Sequence, residues 1–265
     1  MKGFCPLASG SKGNSLFFGS NDSKLLIDAG LSCRNLKSRL EEIGIDLAEI
    51  DAILITHEHS DHIRGLEKIV KDYNIPILCN SDTAKMILDS MDERPKFKIF
   101  TTGETFVWRD LKVHPFSIQH DTVDPVAFII ETEGLKFGMC TDLGFITSLV
   151  KEKLRECDYL VIEANHEVDL VHASRRPPMY KERVLGRQGH LSNEECGKLL
   201  VEIYHDKLKQ VFLAHLSEEC NQPDIALTKV ADILGEKGLE LKLSIAHQEK
   251  VSEKVVFETQ ATLPN

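Results

Sequence analysis

The segment 56–62, with the sequence THEHSDH, concentrates side chains that bind metal ions. It follows a continuous apolar run, AILI, which is typical of a strand buried on both faces. Because side chains alternate along an extended backbone, His57 and His59 project to the same side. Asp61 and His62 then begin a predicted helix and turn two further ligands toward the same region. Imidazole and carboxylate ligands suit zinc, manganese or iron, so the segment predicts a site for divalent metal ions.

The pattern H-x-H-x-D-H after an apolar strand resembles the hallmark of hydrolases of the metallo-β-lactamase fold. The resemblance implies a two-metal site, with Zn²⁺ or Mn²⁺, and implies that Asp28 supports this site without binding metal itself. His120 matches the later histidine of the fold better than His114, which lies inside a strand pattern before a proline. The implied ligands are His57, His59 and His120 for one ion, Asp61, His62 and His215 for the other, and Asp142 as a bridge between them.

A further histidine lies in the segment 189–193, GHLSN, which is similar to a segment of tRNA-processing nucleases of this fold. There the matching histidine protonates the leaving oxygen with the help of a glutamate, and the resemblance gives these roles to His190 and Glu163. Two alternatives stay open: His190 only packs beside the following helix, or His166 is the proton donor. Asp61 is also a candidate catalytic residue, because a metal-binding carboxylate can orient the attacking hydroxide.

The chain has 265 residues and a formal net charge of −10, so binding of phosphate groups requires a local basic patch. We predict this patch in an irregular arm at about residues 166–189, which the pair Pro177-Pro178 stiffens. A solvated arm with scattered charge is the alternative. In the Gly/Ser-rich loop 7–15, Ser11 and Asn14 are further candidates, although a tight turn needs the same residue types. The predicted phosphate contacts of the arm are Arg175, Arg176, Lys181, Arg183 and Arg187.

Additional motifs extend the resemblance over nearly the whole chain, to the YycJ-type (WalJ-like) branch of the fold. They are ASGSKGNS, HDTVDP, TDLG and LAHLS, with Lys12 as a departure inside the first of them. Members of this branch are regarded as 5′-to-3′ DNA exonucleases with a suggested role in DNA repair. The resemblance therefore implies a nuclease that prefers DNA over RNA. The alternatives are a ribonuclease, for tRNA 3′ processing or RNA decay, and a hydrolase of small thioesters or lactams.

Two strand-rich halves alternate with helices along the chain and predict an α/β fold, a four-layer helix–sheet–sheet–helix sandwich. Within it we predict one long helix at 61–73 and a tight hairpin turn at Glu133–Gly134. The absence of repeats and linkers favours one domain over residues 1–265. Seven cysteines without C-x-x-C spacing, no secretory signal and no apolar run of membrane-spanning length favour a cytoplasmic protein.

Overall fold

The computed structural model describes residues 1–257, whose strands form two seven-stranded sheets. The strands are β1 (Gly3–Ala8), β2 (Ser15–Gly19), β3 (Lys24–Ile27), β4 (Ala52–Leu54), β5 (Ile77–Cys79), β6 (Phe97–Ile99), β7 (Phe106–Trp108), β8 (Leu111–Ser117), β9 (Val126–Thr132), β10 (Leu135–Cys140), β11 (Tyr159–Glu163), β12 (Gln210–Ala214), β13 (Leu243–Ile245) and β14 (Val255–Val256).

Each sheet combines an antiparallel part with a parallel part. The first sheet has the order β14-β1-β2-β3-β4-β5-β6 and the second the order β13-β12-β11-β10-β9-β8-β7. Pairing is parallel from β3 to β6 and from β10 to β13. The predicted hairpin turn joins β9 to β10, and both Glu133 and Gly134 have the positive φ that such a turn requires. The parallel strands direct their carboxyl ends toward one edge of the sandwich, where ligand sites of α/β proteins form.

The helices cover the outer faces of the two sheets. None of them, within residues 1–257, is both long and apolar enough to span a membrane. They are α1 (Cys33–Glu42), α2 (Ser60–Ile63), α3 (Leu66–Tyr73), α4 (Ser81–Asp89), α5 (Ser148–Leu154), α6 (Val168–Ala173), α7 (Pro178–Leu185), α8 (Asn193–Ile203) and α9 (Pro223–Gly235), with a short 3₁₀ turn at Leu47–Glu49.

Three hydrophobic clusters define four layers. Between the sheets, aromatic side chains from both, such as Phe4 and Phe18 of the first and Phe137 and Phe212 of the second, pack into one core. Apolar residues of α1, α3 and α4 pack on the outer face of the first sheet, and those of α5, α8 and α9 on the outer face of the second. The predicted α/β four-layer sandwich is therefore confirmed.

Two predicted elements differ from the structure. The helix predicted at 61–73 is divided into α2 and α3 at Gly65, where a Cβ atom would overlap with the carbonyl oxygen of Leu31. The arm at 166–189 was predicted to be irregular but contains two short helices, α6 and α7, and Pro178 occupies the first turn of α7, where proline is favoured. Residues 258–265 of the predicted single domain lie outside the described residues, and that domain assignment stays a prediction.

Candidate metal centre

The candidate metal ligands, and Asp28 that supports them, follow the carboxyl ends of strands in both sheets. His215 comes directly after β12, Asp142 lies two residues after β10, and Asp28 comes directly after β3. These three residues have φ values of 55°, 57° and 61°. A left-handed backbone is unfavourable for residues other than glycine and is concentrated at functional sites. The three turns direct the side chains back over the ends of the sheets.

The structure brings all seven predicted ligands together. Asp142 lies at the centre of the group, with its Oδ2 3.3 Å from His62 Nε2. Its Oδ1 is 3.8 Å from Nε2 of His120 and 3.4 Å from Nε2 of His215. The sets whose ligand atoms all lie within 4.8 Å of one another include His57/His59/His120, Asp61/His62/His215 and His57/His62/Asp142.

Four of the histidines are oriented in the same manner. Each Nδ1 is held by an oxygen atom of a neighbouring group, which leaves Nε2 directed toward the centre, as in metal-binding histidines generally. His59 is the exception, because its Nδ1 is the atom that lies 3.3 Å from His120 Nε2. The Nδ1–oxygen distances are 2.9 Å for His57 (Thr56 Oγ1), 2.8 Å for His62 (Asp28 Oδ2), 2.8 Å for His215 (Glu163 Oε1) and 3.3 Å for His120 (Gly189 carbonyl).

The buried atoms of this centre fit divalent cations. His57 Nε2, His215 Nε2 and Asp142 Oδ2 are buried and have no hydrogen-bond partner within residues 1–257. Buried polar atoms are rarely left without a partner, and a metal ion would supply one. Burial also holds the pKa of His57 well below its usual range and lowers that of His120. Both rings are therefore neutral, which is the form that binds metal.

The charges of the centre also favour cations. Burial opposes a charge on His62, yet the facing carboxylates of Asp28 and Asp142 raise the pKa of His62 to about 10. Burial likewise opposes a charge on His215, and its pKa is still raised well above the usual range, chiefly by Asp142. In the metal-free chain, protons on these two rings balance the carboxylates. Because metal binding would displace those protons, the affinity for metal should rise with pH.

A cavity of about 350 Å³ opens over the centre and receives part of the arm. Arg183 donates from Nε to Asp121 Oδ2 at 2.7 Å, and Arg176 forms a two-pronged ion pair with Glu219. Ser11 of the Gly/Ser-rich loop also lines this cavity. The cavity is lined by Ser11, His59, Asp61, His120, Asp142, Arg176, Tyr180, Arg183, Val184, His190, His215, Ser217, Glu218 and Glu219.

The other predicted substrate contacts lie elsewhere. Arg175 and Arg187 are exposed outside the cavity lining, and the guanidinium of Arg187 covers the ring of Phe145 at 3.7 Å. Lys181 donates from Nζ to the carbonyl of His172. Asn14 is buried, and its side chain contacts Gly10 and reaches Asp61 Oδ2 at 3.2 Å and His62 Nε2 at 3.0 Å. Asn14 therefore positions Asp61 and His62.

His190, rather than His166, faces the cavity. The Nδ1 atom of His190 lies 2.9 Å from Glu163 Oε1, and its side chain is 20% exposed. Glu163 is fully buried, and its other oxygen accepts the backbone N–H groups of Leu143 and Leu191. His166 is buried outside the cavity lining, and burial lowers its pKa to about 4, which makes it a poor proton donor at neutral pH.

Three residues that the sequence analysis did not single out hold the ligands in place. The hydroxyl of Thr56 contacts both Asp28 and Nδ1 of His57. Asn165 donates to the carbonyl of His215 at 2.6 Å, and Ser9 Oγ accepts the backbone N–H of the same residue at 2.8 Å. The position of Thr56 directly before His57 was a possible signal, whereas Ser9 and Asn165 are far from His215 in sequence.

Comparisons with known proteins agree with this geometry. The family model described as "Beta-lactamase superfamily domain" matches residues 23–215. The exodeoxyribonuclease YycJ of Bacillus anthracis is 33% identical over 238 residues, which cover 89% of this chain and 90% of the relative. The exodeoxyribonuclease WalJ of Streptococcus pneumoniae is 34% identical, with 88% of each chain covered.

Solved structures show the same fold at low sequence identity. Zn²⁺-bound PqqB from Methylobacterium extorquens has a TM-score of 0.71 and 15% identity, covering 96% of this chain and 99% of that one. The metallo-β-lactamase fold protein YhfI from Bacillus subtilis has a TM-score of 0.70 and 16% identity, covering 96% and 100%. With its His/Asp metal centre, its fold and its family match, the chain belongs to the metallo-β-lactamase superfamily and is a metallohydrolase similar to the YycJ and WalJ exodeoxyribonucleases.

Proposed function

We propose that this protein is a 5′-to-3′ DNA exonuclease that uses two divalent ions, Zn²⁺ or Mn²⁺, and acts in DNA repair. The observation that carries the proposal is the juxtaposition, in one cavity, of the metal ligands, His190 and two arginines of the arm. Relatives similar over most of their length are named exodeoxyribonucleases, which favours DNA as the substrate. The polarity and the role in repair rest on the resemblance of the motifs.

Two groups of side chains would hold the ions. His57, His59 and His120 would hold one, and Asp61, His62 and His215 the other, with Asp142 between them. Divalent ions bound there would stabilise the negative charge of the reacting phosphate. They would also lower the pKa of water, so that a hydroxide nucleophile is present at neutral pH. Asp61 has a second function in the proposal, because its carboxylate can accept a hydrogen bond from that nucleophile and orient it.

The remaining side chains bind the substrate and move a proton. Arg176 and Arg183 form charge-assisted hydrogen bonds with phosphate oxygens, for which the planar guanidinium is suited. His190 donates a proton from Nε2 to the leaving oxygen, while its Nδ1–H is held by Glu163 at 2.9 Å. Burial would raise the pKa of Glu163, but the imidazoles of His190 and His215 lower it to about 2. The carboxylate therefore stays ionised and orients His190 throughout the neutral range.

The test is the digestion of single- and double-stranded DNA and RNA, labelled at either the 5′ or the 3′ end, by metal-free protein before and after addition of Mn²⁺ or Zn²⁺. We expect metal-dependent shortening of DNA from the 5′ end, its loss in Asp61→Ala, and a strong decrease of kcat with retained metal in His190→Ala. The matched control is His172→Ala, which removes an exposed histidine of the arm and should leave the rate unchanged.

Other outcomes would contradict the proposal in distinct ways. Digestion from the 3′ end would overturn the polarity, and digestion of RNA alone would make the protein a ribonuclease. Metal binding without cleavage of either nucleic acid would favour small esters, thioesters or lactams as substrates. Unchanged cleavage by Asp61→Ala would contradict the assignment of the metal centre itself.

A further inference from the structure

A second cavity, of about 390 Å³, adjoins the cavity over the metal centre. We call it the side cavity; Ser217 and Glu218 line both cavities. It lies beyond the carboxyl ends of β12 and β13, and Leu216, in its wall, directly follows the candidate ligand His215. Ser9, also in its wall, accepts the backbone N–H of His215. The side cavity is therefore a close neighbour of the metal centre.

The walls of the side cavity are apolar, and its polar groups include two that are free. Leu216, Pro223 and Ile245 supply apolar surface. The side chains of Gln222 and His247 line the cavity and have no hydrogen-bond partner within residues 1–257. Ligand sites in proteins typically combine apolar walls with a few polar groups that fix orientation. The combination fits a flat heterocycle with hydrogen-bonding edges.

The charged groups at the side cavity are close to balanced. Arg176 and Arg183 line the cavity over the metal centre, whereas Glu218, Glu249 and Lys250 line the side cavity. Lys12 Nζ lies 2.6 Å from Glu218 and 3.2 Å from Glu249, so that the loop is tied to the wall of the side cavity. With Lys12 and Lys250 beside two carboxylates, the side cavity has no excess of positive charge for a phosphate group, and the carboxylate oxygens can accept hydrogen bonds from the exocyclic amino groups of bases.

We propose that the side cavity binds one nucleobase of the substrate strand, that of a nucleotide next to the phosphate at the metal centre. Leu216 and Ile245 contact the face of the base, while Gln222 and His247 form hydrogen bonds with its edge. The proposal rests on the proposed function for the identity of the substrate. It adds to that function a subsite that senses the presence of a base and not only the backbone.

The test compares intact single-stranded DNA with DNA that carries one abasic nucleotide at successive positions from the 5′ end. For the wild type we expect one position at which loss of the base lowers kcat/KM about ten-fold, as for loss of one base contact. In the double variant Gln222→Ala/His247→Ala, kcat/KM for intact DNA should be about ten-fold lower than in the wild type. An abasic nucleotide at the sensitive position should then lower the kcat/KM of this variant little further. The matched control, Gln188→Ala/His172→Ala, removes an exposed glutamine and an exposed histidine of the arm and should behave as the wild type.

An equal effect of the abasic nucleotide in the wild type and in the Gln222/His247 variant would overturn the side-cavity proposal while leaving the nuclease function intact. If no DNA is cleaved, the proposed function fails, and photo-crosslinking of a trinucleotide containing 5-iodouracil decides on the side cavity separately. Crosslinks within residues 216–223 or 245–250 would support base binding there. Crosslinks confined to other segments would overturn it.

Discussion

At the scale of single residues, Glu163 joins the proton donor to the metal centre. Its Oε1 is the hydrogen-bond acceptor for Nδ1 of both His190, at 2.9 Å, and His215, at 2.8 Å. Its Oε2 accepts the backbone N–H of Leu143 and of Leu191. This buried carboxylate therefore positions the side chains of two histidines and the backbone at Leu143 and Leu191.

Replacing Glu163 by glutamine keeps the shape of the side chain and removes its charge. For Glu163→Gln we expect kcat at saturating metal to fall by about 10²-fold or more, the range for general acid catalysis. The affinity for metal should fall by about 10–100-fold, the usual effect of losing a partner of a metal-binding histidine. Enzyme kinetics and a metal titration measure the two effects. Glu167→Gln, which changes a nearby acid with partners of its own, is the control, and an unchanged kcat in Glu163→Gln would contradict the assigned role.

His166 predicts a pH dependence of stability. Burial lowers its pKa in the folded protein to about 4, whereas an unfolded histidine has a pKa of about 6.5. The unfolded chain therefore binds an additional proton below pH 6.5, and stability is lost as the pH falls from about 6.5 toward 4. Between pH 7.5 and 5.5 this loss amounts to about 1.3 kcal/mol.

The measurement is urea unfolding of metal-free protein at both pH values. Between pH 7.5 and 5.5, the free energy of unfolding of His166→Gln should fall by about 1.3 kcal/mol less than that of the wild type. His172→Gln, at an exposed position, should retain the wild-type dependence. Equal pH dependence in His166→Gln and the wild type would mean that His166 is not held neutral in the folded protein.

At the scale of elements, the arm formed by α6 and α7 carries the predicted contacts with phosphate. Only Arg176 and Arg183, of its five candidate basic residues, line the cavity over the metal centre. Both are paired with acids in the free protein, Glu219 and Asp121. When DNA binds, these ion pairs must be exchanged for contacts with phosphate. Each arginine therefore contributes less to the free energy of DNA binding than an unpaired arginine would.

For Arg183→Ala we expect KM for DNA to rise about ten-fold and the slope of log affinity against log salt concentration to decrease by about 1. The kcat for a small phosphodiester that cannot reach the arm should stay unchanged. Lys198→Ala, which removes a basic residue of α8, is the control. If the salt dependence of Arg183→Ala matched that of the wild type, the arm would have no contact with the DNA backbone.

The same arm marks the limit of what local sequence patterns predict. The alternation of strand-rich and helical patterns predicted the four-layer sandwich, and the residue types of Glu133–Gly134 predicted a hairpin turn. The arm was predicted as irregular, since neither α6 nor α7 buries an extended apolar face. The division of the predicted helix 61–73 at Gly65 was missed, because it depends on the close approach of Leu31 and not on the spacing of apolar residues.

The residues of the candidate metal centre could be predicted from the sequence, because the order of their motifs along the chain identifies them. The seven metal ligands and Glu163 lie in motifs at or after the ends of strands, which implied that they converge, whereas His190 lies between α7 and α8 and was identified by its motif alone. The side cavity was not predictable, because Ser9, Leu216, Gln222 and His247 belong to three separate segments. Their adjacency arises only from the packing of the ends of β1, β12 and β13.

At the scale of the whole molecule, the metal ligands connect the two sheets. His57 and His62 follow β4 of the first sheet, whereas Asp142 and His215 follow β10 and β12 of the second. Metal ions bound to both sets would stabilise the packing of one half on the other. A ligand that binds only the folded state raises the free energy of unfolding according to its concentration relative to its Kd.

Removal of metal by a chelator should therefore lower Tm. We expect a decrease of about 5–10 °C relative to protein with metal at 100 times its Kd, from about 2.7 kcal/mol of lost stabilisation. Differential scanning calorimetry with and without chelator measures it, and Asp142→Asn should show a much smaller response. An identical Tm for wild-type protein in both conditions would mean that metal ions do not bind preferentially to the folded protein.

The central claim is that seven residues form a two-metal centre that hydrolyses DNA, and its most direct test is a titration. Metal-free protein receives Mn²⁺ or Zn²⁺ in steps, while release of nucleotides from single-stranded DNA and the amount of bound metal are measured together. The claim predicts that hydrolysis begins with bound metal and reaches its maximum at about two ions per chain, as a two-metal mechanism requires. Full activity at one ion per chain, or cleavage by metal-free protein, would contradict it.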